Sequence, residues 1–136
     1  MAGMAVKLVE QYLETKKIHS KEIQENVLMA GFKINNGTID IFLNFDETDT
    51  HVHLIGCNFI VVPENKYSDM YKVVNECNAT YAYVKFVLNE EQGQVTLIED
   101  DVIQLDSCGL ECYELLDRMV AIVDDVYPKL MKAIWA

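Results

Sequence analysis

"KINNGTID", residues 33–40, carries the strongest local signal in the chain. Asn36-Gly37 between two apolar alternations marks a β-hairpin, because a type I′ turn needs positive φ at both central residues. With that pair as the turn, Ile34 faces Ile39, Phe32 faces Ile41, Ala30 faces Leu43 and Leu28 faces Phe45. Every such pair is apolar and lies on one face. On the other face Lys33 meets Asp40, opposite charges across the ladder. A slip of one residue would destroy both results.

Working outward, "DETDT" (46–50) turns the chain into "HVHLIGCNF" (51–59). A tight turn at Glu47-Thr48 sets Leu43 against Val52 and Ile41 against Leu54. His51 and His53 then go to the opposite face, beside Asn44 and Phe42. Their spacing, with Cys57 to follow, raises a metal site, since all three side chains bind transition metals. Gly56 argues against it: a glycine inside a strand often marks a bulge. A bulge would turn Cys57, Phe59 and Val61 inward and leave the histidines outside. With no fourth ligand, solvent-facing strand histidines are the expected state, and no metal or other cofactor is expected.

Residues 4–17 repeat Ala5, Leu8, Val9, Tyr12 and Leu13 at helical spacing, and "IHSKEIQEN" (18–26) reads as a connector. Residues 64–78 give a second helix with an apolar stripe of Tyr67, Met70, Tyr71, Val74 and Cys77, closed by Asn78 as a left-handed terminus. "TYAYVKFVL" (80–88) alternates as a strand. "NEEQG" turns it into "QVTLI", which "EDD" (99–101) bends or bulges. Asp106 and Ser107 are N-cap candidates for a last helix from about Cys108 toward Trp135. Its seam of Cys112, Leu116, Met119, Val123, Val126, Leu130 and Ala133 has heptad-like spacing, and Pro128 should kink it near Asp124.

The expected fold is therefore α+β: a mainly antiparallel sheet of about five strands in the order α-βββ-α-ββ-α, helices on one face, and a long C-terminal helix. With 136 residues and no linker or repeat, residues 1–136 read as one domain. The other sheet face is then left with Phe42, His53, Tyr81, Tyr83 and Lys85. These five are the candidate partner-binding residues, although cross-strand aromatics also simply stabilise sheets.

Charge narrows the partner. Lys and Arg total 11 against 22 Asp and Glu, a net charge of −11. Phosphate backbones and anionic lipid need cationic patches, so neither nucleic acid nor membrane is expected. No signal peptide and no apolar run of membrane length is legible, so the four cysteines read as reduced and buried in a cytoplasmic protein. "CGLEC" (108–112) lacks the Cys-x-x-Cys redox spacing. "DETD" and "EDD" lack the pattern of a calcium loop and read as solvated turns. No phosphate loop and no nucleophile signature is present, so no catalytic residue is assigned.

"NNGTIDIFLNF", a helix ending "VVNECNATYAYVKFVLNEEQGQVTLIEDDVIQL", and "GLECYELLDRMVAIVDDVYPKL" together resemble the YbjN-like family of bacterial sensory transduction regulators. The resemblance rests on Asn75 and Asn78, on the hairpin 80–98 and on Gly109-Leu110. That family resembles, in fold, the type III secretion chaperones. The resemblance implies a cytosolic, non-enzymatic regulatory or protein-interaction module. The alternatives are a dimeric chaperone holding an extended client and a metal- or small-ligand-binding protein. A homodimer supported by the last helix is a further expectation.

Overall fold

The alternation of residues 27–45 builds a hairpin, and the rest of the sheet grows from its second strand. The structure is a computed structural model that describes residues 3–136. The elements are α1 (Met4–Thr15), β1 (Lys21–Gln24), β2 (Val27–Ile34), β3 (Gly37–Phe45), β4 (His51–Cys57), a 3-10 turn (Glu64–Lys66), α2 (Tyr67–Thr80), β5 (Lys85–Asn89), β6 (Gln94–Val102) and α3 (Cys108–Trp135). All strands pair antiparallel, in the order β1-β2-β3-β4-β6-β5. The class is the expected α+β with a long C-terminal helix. There are six strands because the connector 18–26 contains β1.

One face of every long strand joins the core. Leu28, Ile34, Ile39, Ile41, Leu43, Val52, Leu54, Phe86, Leu88, Val95 and Leu97 form a single apolar cluster with the helices. The helices enter it through Val9 and Leu13 of α1, Met70 and Val74 of α2, and the whole expected seam of α3 from Cys112 to Ala133. That seam is buried along the length of a 28-residue helix.

The hairpin register is shifted by two residues from the expected one. Ile34 pairs with Gly37, Phe32 with Ile39, Ala30 with Ile41 and Leu28 with Leu43. Lys33 meets Thr38, and Asp40 meets Gly31. The turn is Asn35-Asn36, with Gly37 at φ +151°, a conformation that L side chains rarely adopt. A shift of two keeps every side chain on its face, so the apolar pattern does not resist it. The cross-strand ion pair it forgoes is worth at most about 1 kcal/mol. The turn gains an anchor instead: the Asn35 N–H donates to Asp124 Oδ1 of α3 at 2.7 Å.

The β3–β4 register moves by two for a similar reason. Leu43 faces Leu54 and Phe45 faces Val52. Asp46 closes a longer loop by accepting from the backbone N–H groups of Thr50 and His51, both at 2.9 Å. The Thr48 hydroxyl, then those backbone donors, hold its carboxyl well below the usual carboxylate range.

No bulge occurs at Gly56. The ladder runs unbroken from Phe45–Val52 to Asp40–Cys57. A Cβ at residue 56 would stand 2.9 Å from Met119 Sδ and 3.2 Å from Ile39 Cδ1, so the glycine marks where α3 presses on the sheet. Cys57 keeps the histidine face and is buried there. Beyond it, Phe59, Ile60 and Val62 turn inward, whereas Val61 is exposed.

"EDD" neither bends nor bulges. β6 runs straight through it and pairs with β4 from His51–Val102 to Gly56–Leu97. Asn78 is not a helix terminus either, because α2 continues to Thr80. Ser107 does occupy the N-cap position of α3, without a side-chain cap.

Candidate functional site

Helices cover only one side of the sheet, so the outward-facing residues of six strands form an open surface. Register places one row straight across it. Lys21 faces Met29, Met29 faces Phe42, Phe42 faces Ile55, Ile55 faces Ile98, and Ile98 faces Lys85. The row is four apolar side chains with a lysine at each end. All four are half-buried, and none belongs to the core cluster.

The neighbouring rows are polar at their centres, with Val27 at the end of one and Val87 in the other. On one side Asn44 faces His53 and His53 faces Asp100. His53 Nδ1 lies 2.5 Å from Asp100 Oδ1, and Asn44 Nδ2 donates to the His53 carbonyl. On the other side Asp40 faces Cys57 and accepts from Asn58 Nδ2 at 2.9 Å.

Of the five predicted residues, Phe42, His53 and Lys85 share this face. Tyr81 and Tyr83 do not. α2 ends at Thr80 and β5 starts at Lys85, so both tyrosines lie on the connection between them. Tyr83 sits at φ +73°, which breaks the strand alternation. Tyr81 turns toward α3: its hydroxyl donates to Asp125, and its ring packs 5.8 Å from that of Phe86. The Asp125 bond, then burial, push the Tyr81 hydroxyl up to about 12. Tyr83 lies under the Arg118 guanidinium, 4.8 Å from the ring centroid. The two tyrosines strap the connection onto α3 instead of extending the sheet face.

Sequence reasoning missed two groups. Met29, Ile55 and Ile98 complete the row, and their alternation with Leu28, Leu54 and Leu97 was available in the strand pattern. Glu99 and Arg118 were also missed. Glu99 is 1% exposed on the core face of β6, and its carboxylate pairs with Arg118. Asp101 is two residues along on the same face. Burial, then Asp101, push the Glu99 carboxyl up to about 7 against the lowering pull of Arg118.

All four cysteines are free and buried. Burial raises every one of their thiols, which keeps them protonated and unlike nucleophilic or metal-bound thiolates. Among the described residues no group of three or more His, Cys, Asp or Glu is placed to hold a metal ion. His51 and His53 are each occupied by a carboxylate of their own, Asp46 and Asp100. Among the described residues no helix is long and apolar enough to cross a membrane.

No curated protein and no solved structure matches the chain. The model of the YbjN family, described as "Putative bacterial sensory transduction regulator", matches residues 5–128, from the first turn of α1 to Pro128 of α3. The chain belongs to the YbjN family.

Proposed function

We propose that this chain is a non-enzymatic regulatory module that binds another protein on the open face of its sheet. The observation that carries this reading is the row Met29, Phe42, Ile55 and Ile98, apolar, outside the core and free of any helix. An apolar centre with an aromatic anchor and a polar rim is the anatomy of a protein interface. His53, Lys85 and Lys21 belong to that rim. The net charge of −11 favours a partner with cationic groups, which it would draw in by long-range attraction. A cytoplasmic setting, without nucleic-acid or membrane partners, goes with the same reading.

A photo-crosslinking residue at position 42 or 55 tests it in living cells, with position 71 on the exposed side of α2 as control. Positions 42 and 55 should give one common adduct that position 71 does not. Ile98→Asp should weaken that partner about 30-fold or more, the 2 kcal/mol of an interface hot spot, while the lost cross-strand contacts cost about 1–2 kcal/mol of stability and leave the chain folded at 25 °C. Adducts equally strong at 71, or none at 42 and 55, reject the reading.

The same face would also suit the chaperone alternative, a dimer of this chain holding an extended client. Light scattering distinguishes them. The regulatory module remains a monomer or forms an equimolar complex with a folded partner, whereas the chaperone is a dimer whose client is unfolded alone.

A further inference from the structure

Two acids and one base meet beside the connection that joins α2 to β5. Glu99 and Asp101 stand two residues apart on one face of β6, and their carboxyls hydrogen-bond each other. Two carboxyls do so only with a proton between them. Arg118 of α3 pairs with Glu99 Oε2.

Across the ladder Glu99 and Asp101 face Leu54 and Val52 of β4, neither of them charged. α3 adds Cys112, whose thiol is kept protonated by burial first and by Asp101 among its neighbouring charges, and Glu111, which accepts the Gln104 N–H. Asp100, between the two acids, turns to the opposite sheet face and to His53. Apart from the shared proton, Glu99 Oε1, Asp101 Oδ2 and Arg118 Nε, all buried, have no hydrogen-bond partner. The proton serves the two oxygens, and Arg118 Nε is left as a donor without an acceptor.

The same guanidinium is stacked on Tyr83, with Cζ 4.8 Å from the ring centroid. Tyr83 is 75% exposed, so Arg118 spans from a buried carboxyl to a surface ring. The backbone of Tyr83 is left-handed, at φ +73°, which a bulky side chain adopts only when its contacts hold it there. Those contacts are the Arg118 stack, the buried Val84 that follows, and the Tyr81 hydroxyl on Asp125. The stack is the contact that shares a residue with the buried acids.

We propose that Glu99, Asp101 and Arg118 are a proton-operated latch on this connection. With one proton between the carboxyls, the set holds one negative and one positive charge, and the guanidinium stays on Tyr83. When that proton leaves for solvent, two negative charges face one positive charge. The guanidinium turns inward, its Nε donating to Asp101 Oδ2, and Tyr83 loses its stack and relaxes from the left-handed backbone. Burial and Asp101 push the Glu99 carboxyl up to about 7, so the latch works at neutral pH. Lys85, one end of the apolar row, follows Val84, so the freed segment borders the open face.

The carboxyl carbon resonance of Glu99 and the amide resonances of Tyr83 and Val84, followed from pH 5.5 to 8.5, should titrate with one common midpoint. Chymotrypsin cleavage after Tyr83 should rise about tenfold more between pH 6 and pH 8 in the wild-type chain than in Glu99→Gln, whose latch stays shut. Asp101→Asn leaves one acid for one base, so it should keep the connection shut over the whole range and lower the Glu99 midpoint. Tyr83→Ala tests the coupling from the other end. Linkage is reciprocal, so a chain that has lost the stack should bind the Glu99 proton about threefold more weakly. A buried acid with a purely structural role would not respond to Tyr83. The inference is overturned if the Tyr83 amide does not titrate with Glu99, if Tyr83→Ala leaves the Glu99 midpoint in place, or if Glu99→Gln and Asp101→Asn are cleaved like the wild-type chain at both pH values. All of these are read on the chain alone, so they stand whatever binds the open face.

Discussion

Replacing Glu99 with glutamine is expected to stabilise the chain at pH 8 by about 1–3 kcal/mol and to leave its stability at pH 4.5 nearly unchanged. Glu99 is a fully buried carboxyl on the core face of β6, and one guanidinium, that of Arg118, pairs with it. Burial and Asp101 raise it to about 7 from an ordinary value of 4.5. Below pH 4.5 the group is protonated in both the folded and the unfolded chain. Between there and about pH 7 the folded chain keeps a proton that the unfolded chain has released, so stability falls as the pH rises. Above about pH 7 the whole cost of the buried charge is present. Each pH unit over which the two states differ is worth about 1.4 kcal/mol, which sets a ceiling near 3 kcal/mol. Glutamine keeps the shape and the hydrogen-bonding groups of the protonated acid, so it removes this slope. Urea unfolding of both proteins across pH 4.5–8 measures it. Parallel curves for the two would mean that Arg118 neutralises Glu99 fully, and that the group does not respond to pH in this window.

The residues that broke the expected pattern show what a sequence makes legible. The period-two alternation in 27–45 placed each side chain on the correct face, because a wrong face would bury Lys33 and Asp40. It did not set the register: a shift of two exchanges Ile39 for Ile41 opposite Phe32 and costs the core nothing. Contacts outside the strands decided it, from Asn35 to Asp124 and within the Asp46 loop. β1 stayed hidden because four residues at a sheet edge, "KEIQ", show no alternation to detect. Tyr81 and Tyr83 extended the pattern of β5 past its true start, and only the end of α2 and the left-handed backbone at Tyr83 remove them. "EDD" looked like a solvated turn because a buried carboxyl is the exception that composition rules are built to discount. Yet Val95, Leu97, Glu99 and Asp101 keep perfect alternation. The candidate face was therefore half legible. Phe42, His53 and Lys85 followed from parity, while the row that joins them needed the true strand order, in which β6 separates β4 from β5.

Asn78→Ala should cost about 2–3 kcal/mol and turn the chain toward aggregation. β5 is the last strand of the sheet, and its outer edge offers unpaired backbone groups to any other strand. α2 lies beside it, and the Asn78 amide takes the place of a neighbouring strand: Oδ1 accepts the Phe86 N–H at 2.6 Å and Nδ2 donates to the Phe86 carbonyl at 3.0 Å. Alanine removes both bonds and leaves two part-buried backbone groups unpaired, each of which costs roughly 1–3 kcal/mol when not rehydrated. The better helix propensity of alanine offsets about 0.5 kcal/mol of this. Asn78→Asp should lie between the two, because it keeps the acceptor for the N–H but sets a carboxylate against the Phe86 carbonyl. Denaturant unfolding gives the energies. Hydrogen exchange at the Phe86 amide gives the mechanism, with faster exchange expected for Asn78→Ala and an intermediate rate for Asn78→Asp. Light scattering at 37 °C should show association of the alanine variant at concentrations where the wild-type chain is stable. A variant within 0.5 kcal/mol of wild type, with Phe86 equally protected, would show that the packing of α2 against Phe86 and Leu88 protects the edge without the amide.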